Sequence, residues 1–593
     1  MGPVESFAPY LDLAIKAARA AGDLLRADFH RPLGPRGEGD KAPVDTEAEQ
    51  LIRDILLGAG SDWGFLGEET GSVPGAPGSP IWVVDPNDGT RDYIKGRRGS
   101  SVSIALVSNR RPVLGVVHTF GYPDDRGPVY SAVVGREGVW KDGAPVASNL
   151  PDRLSELDVV LVSGGGDRAA RANLQCTKPA RVMSIPSIAH RLARVAAGEG
   201  AATTSLYSPK TWDFAAGHCL ILAAGGALLD ENGNEPVYDD QAFGTSARLF
   251  AGSRAVALEL SKRDWDVAFG SERETSMPIV RLVKGRAVSD PLLLARAQGA
   301  LLGQFLGSAL GRLFSGVDHD GESRTLDRPA LEAAAQRRRL FAGQLGASGE
   351  IAVATARSLA DLASDAKRLK RVYAAWVDSD PEDLDRAMES ALKGQALADD
   401  RSAMALVRVT PLTLWAHDAA EAIAATKVRE DAALTHPENR SGEAAAALAI
   451  VLHSLIKGDD PSAVVESAHA FARRSGFSRE TIEAIVESAT PHKGQRDPDV
   501  LNVLRTALFH LRTTASFEGA MESALAATSA SDAMPAIVGA VMGARLGREG
   551  IPERLRTLVI SCRPMEGLAP HPRPSVYWAT DAMAMAEALL TAR

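Results

Sequence analysis

Residues 81–96, "IWVVDPNDGTRDYIKG", decide the fold of the N-terminal half of this chain. A short apolar run leads directly into Asp85 and Asp88, and Gly89-Thr90 follow at once. The apolar run predicts a buried strand that ends at Asp85, and the residues after it predict a helix that begins at Gly89 and Thr90. We therefore expect two carboxylates at a strand end, beside helix N–H groups that favour a phosphate.

Further acidic residues stand at strand ends or turns elsewhere in this half. They are Glu68 and Glu69 in "FLGEETG" and Asp213 in "SPKTWDFAAGHC". Mg²⁺ prefers carboxylate and carbonyl oxygens, and two such ions about 4 Å apart can hold a phosphate and activate water. Asp85 is placed to bridge two ions, with Asp88 and the carbonyl of Asn87 as further ligands. Each motif alone is weak, because Asp-Pro-x-Asp-Gly is most often a simple turn.

Composition limits the class of protein. The chain has 593 residues, 45% hydrophobic and 24% charged, with a formal net charge of −9. This balance predicts a soluble globular protein of more than one domain and argues against a general nucleic-acid binder. Apolar runs stay short of the roughly 18–20 residues of a membrane span, and the N-terminus has no apolar signal core. Three widely spaced cysteines fit neither a disulfide framework nor a zinc cluster, so we expect a cytoplasmic protein.

The composition and the hydrophobic periodicity of the sequence change near residue 287. Before it, helical spacing over residues 6–29 and after Asp45 is followed by short β-like runs such as "SVSIALV" and "VLGVVHTF". After it, alanine- and leucine-rich helical segments dominate, and the first begins with Asp290 as N-cap and Pro291. We predict an α/β domain over residues 1–270, a linker over 271–289 and an all-α domain over 290–593.

Residues 1 to about 265 resemble the inositol monophosphatase superfamily of metal-dependent phosphomonoesterases. The resemblance rests on "GEE", "WVVDPNDGT" and "WDFAAGHCLILAAGGALLDENG", in that order. It implies a layered αβαβα fold and two or three Mg²⁺ ions. It also implies the metal ligands, which are Glu68, Asp85, the carbonyl of Asn87, Asp88 and Asp213.

The same resemblance implies the remaining site residues. Thr90 would help activate the attacking water, paired with Asp45, and Glu68 would take part in catalysis. Gly89, Thr90 and Ser187 would bind the substrate.

The sequence after Thr90 is closer to the 3′(2′),5′-bisphosphate nucleotidase branch of this superfamily than to the inositol branch. Residues 91–95, "RDYIK", stand where that branch commonly has Lys-Glu-Phe-Ile-Lys. Leu206 occupies the position of the sugar-binding glutamate of the inositol branch. A second phosphate is one interpretation of the nearby basic residues, and a solvated basic face is the other. These residues are Arg91, Lys95, Arg97 and Arg98.

Residues 295–593, approximately, resemble ADP-ribosylglycohydrolases, which are all-α proteins with two Mg²⁺ ions. The resemblance rests on "ARAQGALLGQFLGSALG", "MALVRVTPLTLW", "LTHPENRSGEAAAALAI" and "SDAMPAIVGAVMGARLGREGIP". The metal motifs are altered. Ser308 replaces an aspartate, Gly346-Ala347-Ser348-Gly349 replaces Thr-Asp-Asp-Thr, and Ala530-Ser531-Asp532-Ala533 keeps one carboxylate of Asp-Thr-Asp-Thr. One carboxylate cannot hold two divalent ions, so we expect no dinuclear site here.

Two hypotheses follow for the function. The first is a Mg²⁺-dependent phosphomonoesterase acting on a small, nucleotide-like phosphate ester such as 3′-phosphoadenosine 5′-phosphate or a phosphorylated ADP-ribose derivative. The second is an ADP-ribose-binding or ADP-ribosyl-hydrolase-related protein whose C-terminal domain carries the main function. An inositol or sugar phosphate remains an alternative substrate, and a homodimer is possible. The C-terminal domain could also be only structural.

Overall fold

The chain divides into two compact units, each with its own core. The computed structural model describes residues 7–60, 62–238, 248–267, 280, 282–315, 325–361, 365–395, 401–489, 499–527 and 531–592. The first unit spans Met1–Met277 and Leu282–Ser289, and the second spans Pro278–Arg281 and Asp290–Arg593. Residues 282–289, which the sequence predicted as linker, pack with the first unit: the carbonyl of Val288 accepts a hydrogen bond of 2.9 Å from Arg98 Nη2.

The first unit contains an eight-stranded sheet in the order β2-β1-β3-β4-β5-β6-β7-β8. Its strands are β1 (Gly64–Gly67), β2 (Gly71–Val73), β3 (Ile81–Asp88), β4 (Ser101–Ser108), β5 (Arg111–His118), β6 (Val129–Val133), β7 (Val139–Lys141) and β8 (Ala144–Val146). β1 and β3 are parallel, and the other neighbours are antiparallel. The apolar runs that predicted β3 to β6 therefore all form strands.

A five-stranded sheet follows in the order β10-β9-β11-β13-β12. It comprises β9 (Val159–Val162), β10 (Arg181–Ser184), β11 (Ala202–Ser205), β12 (Ala227–Asp230) and β13 (Leu249–Gly252). The helices of the unit are α1 (Ala8–Phe29), α2 (Pro43–Leu57), α3 (Thr90–Tyr93), α4 (Ala170–Thr177), α5 (Ile188–Ala196), α6 (Thr211–Ala223) and α7 (Arg254–Ser261).

Helices and sheets alternate in five layers. Buried apolar residues of α1 and α2 share one core with Trp82, Val84 and Ile104 of the large sheet. On the other side of the large sheet, α5 and α6 contact both sheets. The helices α4 and α7 pack on the small sheet. The predicted α/β layered αβαβα fold is confirmed.

The second unit is all-helical in its described part, as the sequence predicted. Its helices are α8 (Pro291–Phe314), α9 (Arg328–Arg338), α10 (Ala347–Ala360), α11 (Ala366–Val377), α12 (Arg386–Leu392), α13 (Val409–Trp415), α14 (Glu421–Ala432), α15 (Asn439–Lys457), α16 (Pro461–Arg474), α17 (Arg479–Val486), α18 (Val500–Thr513), α19 (Phe517–Ala527), α20 (Ala533–Leu546), α21 (Glu553–Ile560) and α22 (Ala582–Thr591). Asp290 caps α8, since its side chain accepts from the N–H groups of Leu292 and Leu293. Among the described helices, none has the length and apolar character that crossing a membrane requires.

Two helices form the centre of the second unit. α8 is buried along almost its whole length and packs against α20 through a row of glycines. A Cβ atom added at Gly303 would lie 2.0 Å from the carbonyl oxygen of Gly539, and one at Gly543 would lie 2.0 Å from that of Gly299. The spacing of these glycines therefore sets how closely the two backbones approach.

Candidate active site

Three segments of the first unit bring four carboxylates together. Glu68 directly follows β1, Asp85 and Asp88 lie on β3, and Asp213 lies in the first turn of α6. Because β1 and β3 are parallel with Gly67 opposite Val84, Glu68 comes beside Asp85. The helix α6 packs against β3 and β4. The charges of Glu68, Asp88 and Asp213 all act on Asp85, so the predicted carboxylates do converge.

Asp85 forms the floor of the site. Its side chain is 2% exposed, and its Oδ1 atom accepts a hydrogen bond of 2.8 Å from the N–H of Asn87. Burial, and then the charge of Glu68, raise the pKa of Asp85 well above its usual value. In a regular strand residues 85 and 88 would point to opposite faces. The pairing of β3 with β4 is irregular between them, and β3 continues to Asp88 instead of ending at Asp85 as predicted.

Asp88 and Asp213 are each held by donors at the start of a helix. Asp88 Oδ2 accepts from Ser187 Oγ at 2.6 Å and from Ala189 N at 2.8 Å, while Asp213 Oδ2 accepts from Lys210 N at 2.7 Å. Desolvation raises the pKa of Asp88, and the hydrogen bond from Ser187 opposes this shift. Desolvation also raises the pKa of Asp213, and the negative charge of Asp88 raises it further. These bonds engage one oxygen of each aspartate.

Glu68 lies at the exposed rim. Desolvation by the surrounding protein raises the pKa of Glu68 to about 7, and the charges of Glu69, Asp88 and Glu49 raise it further against a hydrogen bond with Asp85. The carboxylates of the site therefore range from a buried floor to an accessible rim, as a binding cleft for a charged ligand requires.

Asp45, Asn87 and Thr90 form a hydrogen-bonded group beside the carboxylates. Asp45 is 1% exposed and accepts from Asn87 Nδ2 and from Thr90 Oγ1, each at 2.9 Å. The Thr90 hydroxyl also lies 2.9 Å from the carbonyl oxygen of Asn87. Burial raises the pKa of Asp45 to about 7, against the hydrogen bonds from Asn87 and Thr90. The Thr90–Asp45 pairing implied by the resemblance is therefore present as a direct hydrogen bond.

The chemistry of these donors fits Mg²⁺. Carboxylate and carbonyl oxygens are its preferred ligands, and clustered carboxylates repel one another without a cation. Asn87 Oδ1 is buried without a hydrogen-bond partner. In the described part of the chain, no three His, Cys, Asp or Glu side chains already stand in an arrangement that would hold an ion.

Glu49 lies beside the site, and the D-x-x-x-E spacing of Asp45 and Glu49 is part of the resemblance to the inositol monophosphatase superfamily. It lies on α2 one turn after Asp45, is 0% exposed, and accepts from Glu69 N at 2.9 Å and from Thr70 N at 2.6 Å. A Cβ atom at Gly67 would lie 2.1 Å from Glu49 Oε1, so glycine is needed to admit the carboxylate. The four-residue spacing of two acids on an otherwise apolar helix face was the available signal.

Gly89 and Thr90 begin a helix of only four residues, Thr90–Tyr93. The predicted helix N-terminus is therefore present, but a single turn adds little dipole for a phosphate. Gly89 has φ of 105°, a left-handed conformation that favours glycine. The backbone conformation thus accounts for this glycine, in addition to the predicted room for a phosphate.

Three positions of the second unit that resembled altered metal motifs also come together. Asp532 Oδ2 accepts from Ser308 Oγ at 2.6 Å, from Ser348 Oγ at 2.5 Å and from Ser348 N at 3.0 Å. Ser308 Oγ in turn accepts from the N–H groups of Gly346 and Gly349. Ser308 and Ser348 are 0% exposed and Asp532 is 8% exposed. The hydrogen bonds to Asp532 Oδ2 therefore come from neutral hydroxyl and N–H groups.

Two further polar residues of the second unit, Glu350 and His436, are engaged in internal contacts. Glu350 accepts from Arg573 Nη2 at 2.7 Å and from Trp376 Nε1 at 3.0 Å, and this Glu350–Arg573 ion pair is buried. His436 is buried, with Nδ1 at 2.8 Å from Thr435 Oγ1 and Nε2 at 3.6 Å from Asp385 Oδ1. Ala530 lies outside the described residues.

Comparison with known protein families gives a match for each of the two domains. A family model described as inositol monophosphatase family matches residues 7–268, and one described as ADP-ribosylglycohydrolase matches residues 289–590. The chain belongs to both families. Its N-terminal domain is an inositol monophosphatase domain, and its C-terminal domain is an ADP-ribosylglycohydrolase domain.

Curated relatives of the inositol monophosphatase domain carry different names. Nus factor SuhB of Xylella fastidiosa is 31% identical over 44% of this chain and 97% of the relative. The 3′(2′),5′-bisphosphate nucleotidase CysQ of Escherichia coli K12 is 30% identical over 38% of this chain and 91% of the relative. Inositol monophosphatase 2 of Solanum lycopersicum is 29% identical over 42% of this chain and 94% of the relative.

The geometry of the inositol monophosphatase domain changes two expectations about substrate contacts. Ser187, expected to bind substrate, is 0% exposed and donates to Asp88, so it positions a carboxylate instead. Among the basic residues, Arg98 is buried against Asp125 at 2.6 Å and Arg97 pairs with Asp92 at 2.8 Å. The Arg98 guanidinium is therefore engaged inside the protein, whereas the side chain of Arg97 is 43% exposed and keeps donors that face solvent.

Proposed function

We propose that this protein is a Mg²⁺-dependent phosphomonoesterase that hydrolyses a small phosphate ester in its inositol monophosphatase domain. One observation carries the proposal. Glu68, Asp85, Asp88 and Asp213 converge beside the hydrogen-bonded Thr90–Asp45 pair. A cluster of carboxylates with so little compensating positive charge is costly unless it binds cations.

Glu68, Asp85, Asp88, Asp213 and the carbonyl of Asn87 would hold two or three Mg²⁺ ions. When bound, these ions supply Lewis-acid stabilisation of phosphoryl charge and lower the pKa of water. No side chain of the site needs to form a covalent bond with the phosphoryl group, because water can attack phosphorus in line.

Thr90 and Asp45 form the hydrogen-bonded pair that orients the attacking water and takes up its proton. The Thr90 hydroxyl carries one proton, which it donates to Asp45 or to the carbonyl of Asn87, so its oxygen retains a lone pair to accept from water. Asp45 fixes the direction of this hydroxyl from a buried position. A water oriented in this way attacks with little reorganisation.

We further propose a nucleotide-like substrate. Support comes from Leu206, which stands where the inositol branch has a sugar-binding glutamate, and from the nucleotidase name of one relative. A relative named as an inositol monophosphatase is about equally similar, so an inositol or sugar phosphate is the alternative that the substrate panel must address.

The ADP-ribosylglycohydrolase domain is proposed to lack a dinuclear metal site. Asp532 is the carboxylate retained from the family motifs, and its Oδ2 accepts three hydrogen bonds from Ser308 and Ser348. The hypothesis that this domain carries the main function would require ligands from outside these motifs.

The experiment is phosphate release by the purified full-length protein with Mg²⁺. The panel contains 3′-phosphoadenosine 5′-phosphate, phosphorylated ADP-ribose, inositol phosphates and sugar phosphates. Asp85→Asn removes a charge at the floor of the site, and Asp12→Asn, at an exposed position of α1, is the matched control. We expect release that requires Mg²⁺, is lost in Asp85→Asn and persists in Asp12→Asn. Equal release by both variants would overturn the proposal.

A further inference from the structure

Arg191 is a buried cation behind the proposed metal site. It lies on α5, which begins just after Ser187, and is 1% exposed. Its guanidinium donates from Nη1 to the carbonyls of Ile185 at 2.7 Å and Pro186 at 2.9 Å. Its Nε donates to Thr203 Oγ1 at 3.2 Å. These acceptors are neutral, so they satisfy the hydrogen bonds of the guanidinium but not its charge.

The charge of Arg191 is balanced by the site. A buried charge is costly unless opposite charge lies nearby. Asp88 and Asp213 are the two anionic groups that act on Arg191, and Arg191 in turn acts on Asp88. Burial lowers the pKa of Arg191 to about 10, and the two aspartates oppose that shift, so the guanidinium remains protonated at neutral pH.

Arg191 also controls the geometry around Asp88. Ile185 and Pro186, which it binds through their carbonyls, lead directly to Ser187. Ser187 Oγ and Ala189 N then donate to the same oxygen of Asp88. Arg191 therefore fixes the segment that supplies both donors to Asp88.

We propose that Arg191 is a permanent internal counter-ion to Asp88 and Asp213 and a positioning residue for Asp88, which orders Asp88 before Mg²⁺ arrives and weakens the binding of that Mg²⁺. The inference rests on the proposed function, because it assigns Asp88 and Asp213 as metal ligands. The charge of Arg191 repels an incoming cation, while its hydrogen bonds keep the segment that binds Asp88 ordered. Charge and geometry therefore have opposite effects on metal affinity, and conservative variants separate them.

The test is Mg²⁺ binding to the metal-free full-length protein by titration calorimetry. Arg191→Gln removes the charge. Its amide nitrogen stands where Arg191 Nε stands, so it keeps a donor to Thr203 Oγ1 and loses those to the Ile185 and Pro186 carbonyls. Arg191→Lys retains the charge but loses the planar fork of donors. Arg194→Gln is the matched control, because Arg194 is also buried on α5 but is ion-paired with Glu199.

We expect Arg191→Gln to bind Mg²⁺ about tenfold more tightly than Arg191→Lys, since both variants lose the fork of donors and only the glutamine variant loses the positive charge. Arg191→Lys should stay within about threefold of the wild type, as should Arg194→Gln. A lower unfolding temperature of Arg191→Gln in EDTA, reversed by Mg²⁺, would support the counter-ion role.

Mg²⁺ binding by Arg191→Gln that is equal to or weaker than binding by Arg191→Lys would overturn the inference while leaving the proposed function intact. If Arg191→Gln does not fold, Arg191→Lys decides: Mg²⁺ affinity within about threefold of the wild type supports the inference, and a larger change overturns it. Absence of Mg²⁺ binding by the wild type would overturn the proposed function and the inference together.

Discussion

Thr90 holds one hydroxyl proton between two oxygen acceptors, Asp45 Oδ2 and the carbonyl of Asn87. This arrangement makes the hydroxyl, rather than the side-chain volume, the important feature of the residue. Thr90→Val keeps the shape and removes the hydroxyl. We expect kcat for phosphate release to fall about 10²- to 10⁴-fold with a small change in KM, the usual range for a proton-transfer residue.

Thr90→Ser is the matched variant, because it restores the hydroxyl. Its kcat should stay within about tenfold of the wild type. Steady-state kinetics on the best substrate of the panel measure both variants. Equal kcat values for Thr90→Val and Thr90→Ser would contradict the assigned role.

Glu49 stabilises the turn that carries Glu68. Its Oε1 accepts from Thr70 N and Thr70 Oγ1, both at 2.6 Å, and its Oε2 accepts from Glu69 N at 2.9 Å. In Glu49→Gln an amide donor must face one of these donors, so we expect a loss of about 1.5–3 kcal/mol in the free energy of unfolding. We also expect kcat/KM for phosphate release to fall about tenfold, because Glu68 is displaced.

Glu47→Gln is the control for Glu49, since Glu47 lies on the same helix at an exposed position. Urea unfolding and steady-state kinetics give the two quantities. If Glu49→Gln behaves like Glu47→Gln in both, Glu49 does not support the site.

We expect His218 to make the inositol monophosphatase domain less stable in acid. Burial, and then the charge of Arg111, lower the pKa of His218 to about 3, and its Nδ1 lies 2.9 Å from the hydroxyl of Tyr238. The unfolded chain binds a proton at this residue below about pH 6.5, whereas the folded domain does not. The stabilising contribution is therefore complete above about pH 6.5 and is lost as the pH falls towards 3.

A non-titrating variant isolates this effect. Between pH 7 and pH 5 the free energy of unfolding of the wild type should fall by about 2 kcal/mol more than that of His218→Gln. Urea unfolding at the two pH values measures the difference. Parallel losses in wild type and variant would show that His218 does not set the pH dependence.

The sequence identified the carboxylates of the site more successfully than the residues that donate hydrogen bonds to them. Asp85, Asp88, Asp213 and Glu68 stand in recognisable motifs, and the fold brings them together. Ser187 was expected to contact substrate but instead donates to Asp88, 99 residues away in sequence. Such long-range partners depend on how α5 packs, which residue spacing within one segment does not reveal.

At the scale of elements, the contact between α8 and α20 depends on residues without side chains. A Cβ atom at Gly303 would lie 2.0 Å from the carbonyl oxygen of Gly539, so Gly303→Ala must move one backbone. We expect the free energy of unfolding of the C-terminal domain to fall by about 1–3 kcal/mol, the usual cost of overpacking.

Gly442→Ala is the matched control. Gly442 is also a buried residue within a helix of this domain, but the nearest atom to an added Cβ is 3.7 Å away. This change should be neutral or slightly stabilising, because alanine favours helix more than glycine does. Similar losses in both variants by thermal unfolding would contradict a specific contact at Gly303.

Element boundaries explain where the sequence was less informative. Apolar periodicity predicted α1 and the strands β3 to β6, and Asp290 with Pro291 predicted the start of α8. The continuation of β3 through Asp88 depends on irregular pairing with β4. The single-turn length of α3 depends on the packing that follows it. Both are consequences of tertiary contacts that override local pattern.

At the scale of the whole molecule, two domains from two metal-dependent families have different polar centres. In the inositol monophosphatase domain, carboxylates converge with Arg191 as the cation that acts on Asp88. In the ADP-ribosylglycohydrolase domain, hydroxyl and N–H donors of Ser308 and Ser348 surround Asp532. Clustered negative charge favours a cation, whereas hydrogen bonds from neutral donors stabilise a carboxylate without one.

The two centres should therefore differ in whether they bind a divalent cation. Crystals of the full-length protein soaked in Mn²⁺, which resembles Mg²⁺ in its oxygen ligands, locate bound ions by anomalous diffraction. We expect strong peaks among Glu68, Asp85, Asp88 and Asp213, and no peak at Asp532. A peak at Asp532, or none among the four carboxylates, would contradict this expectation.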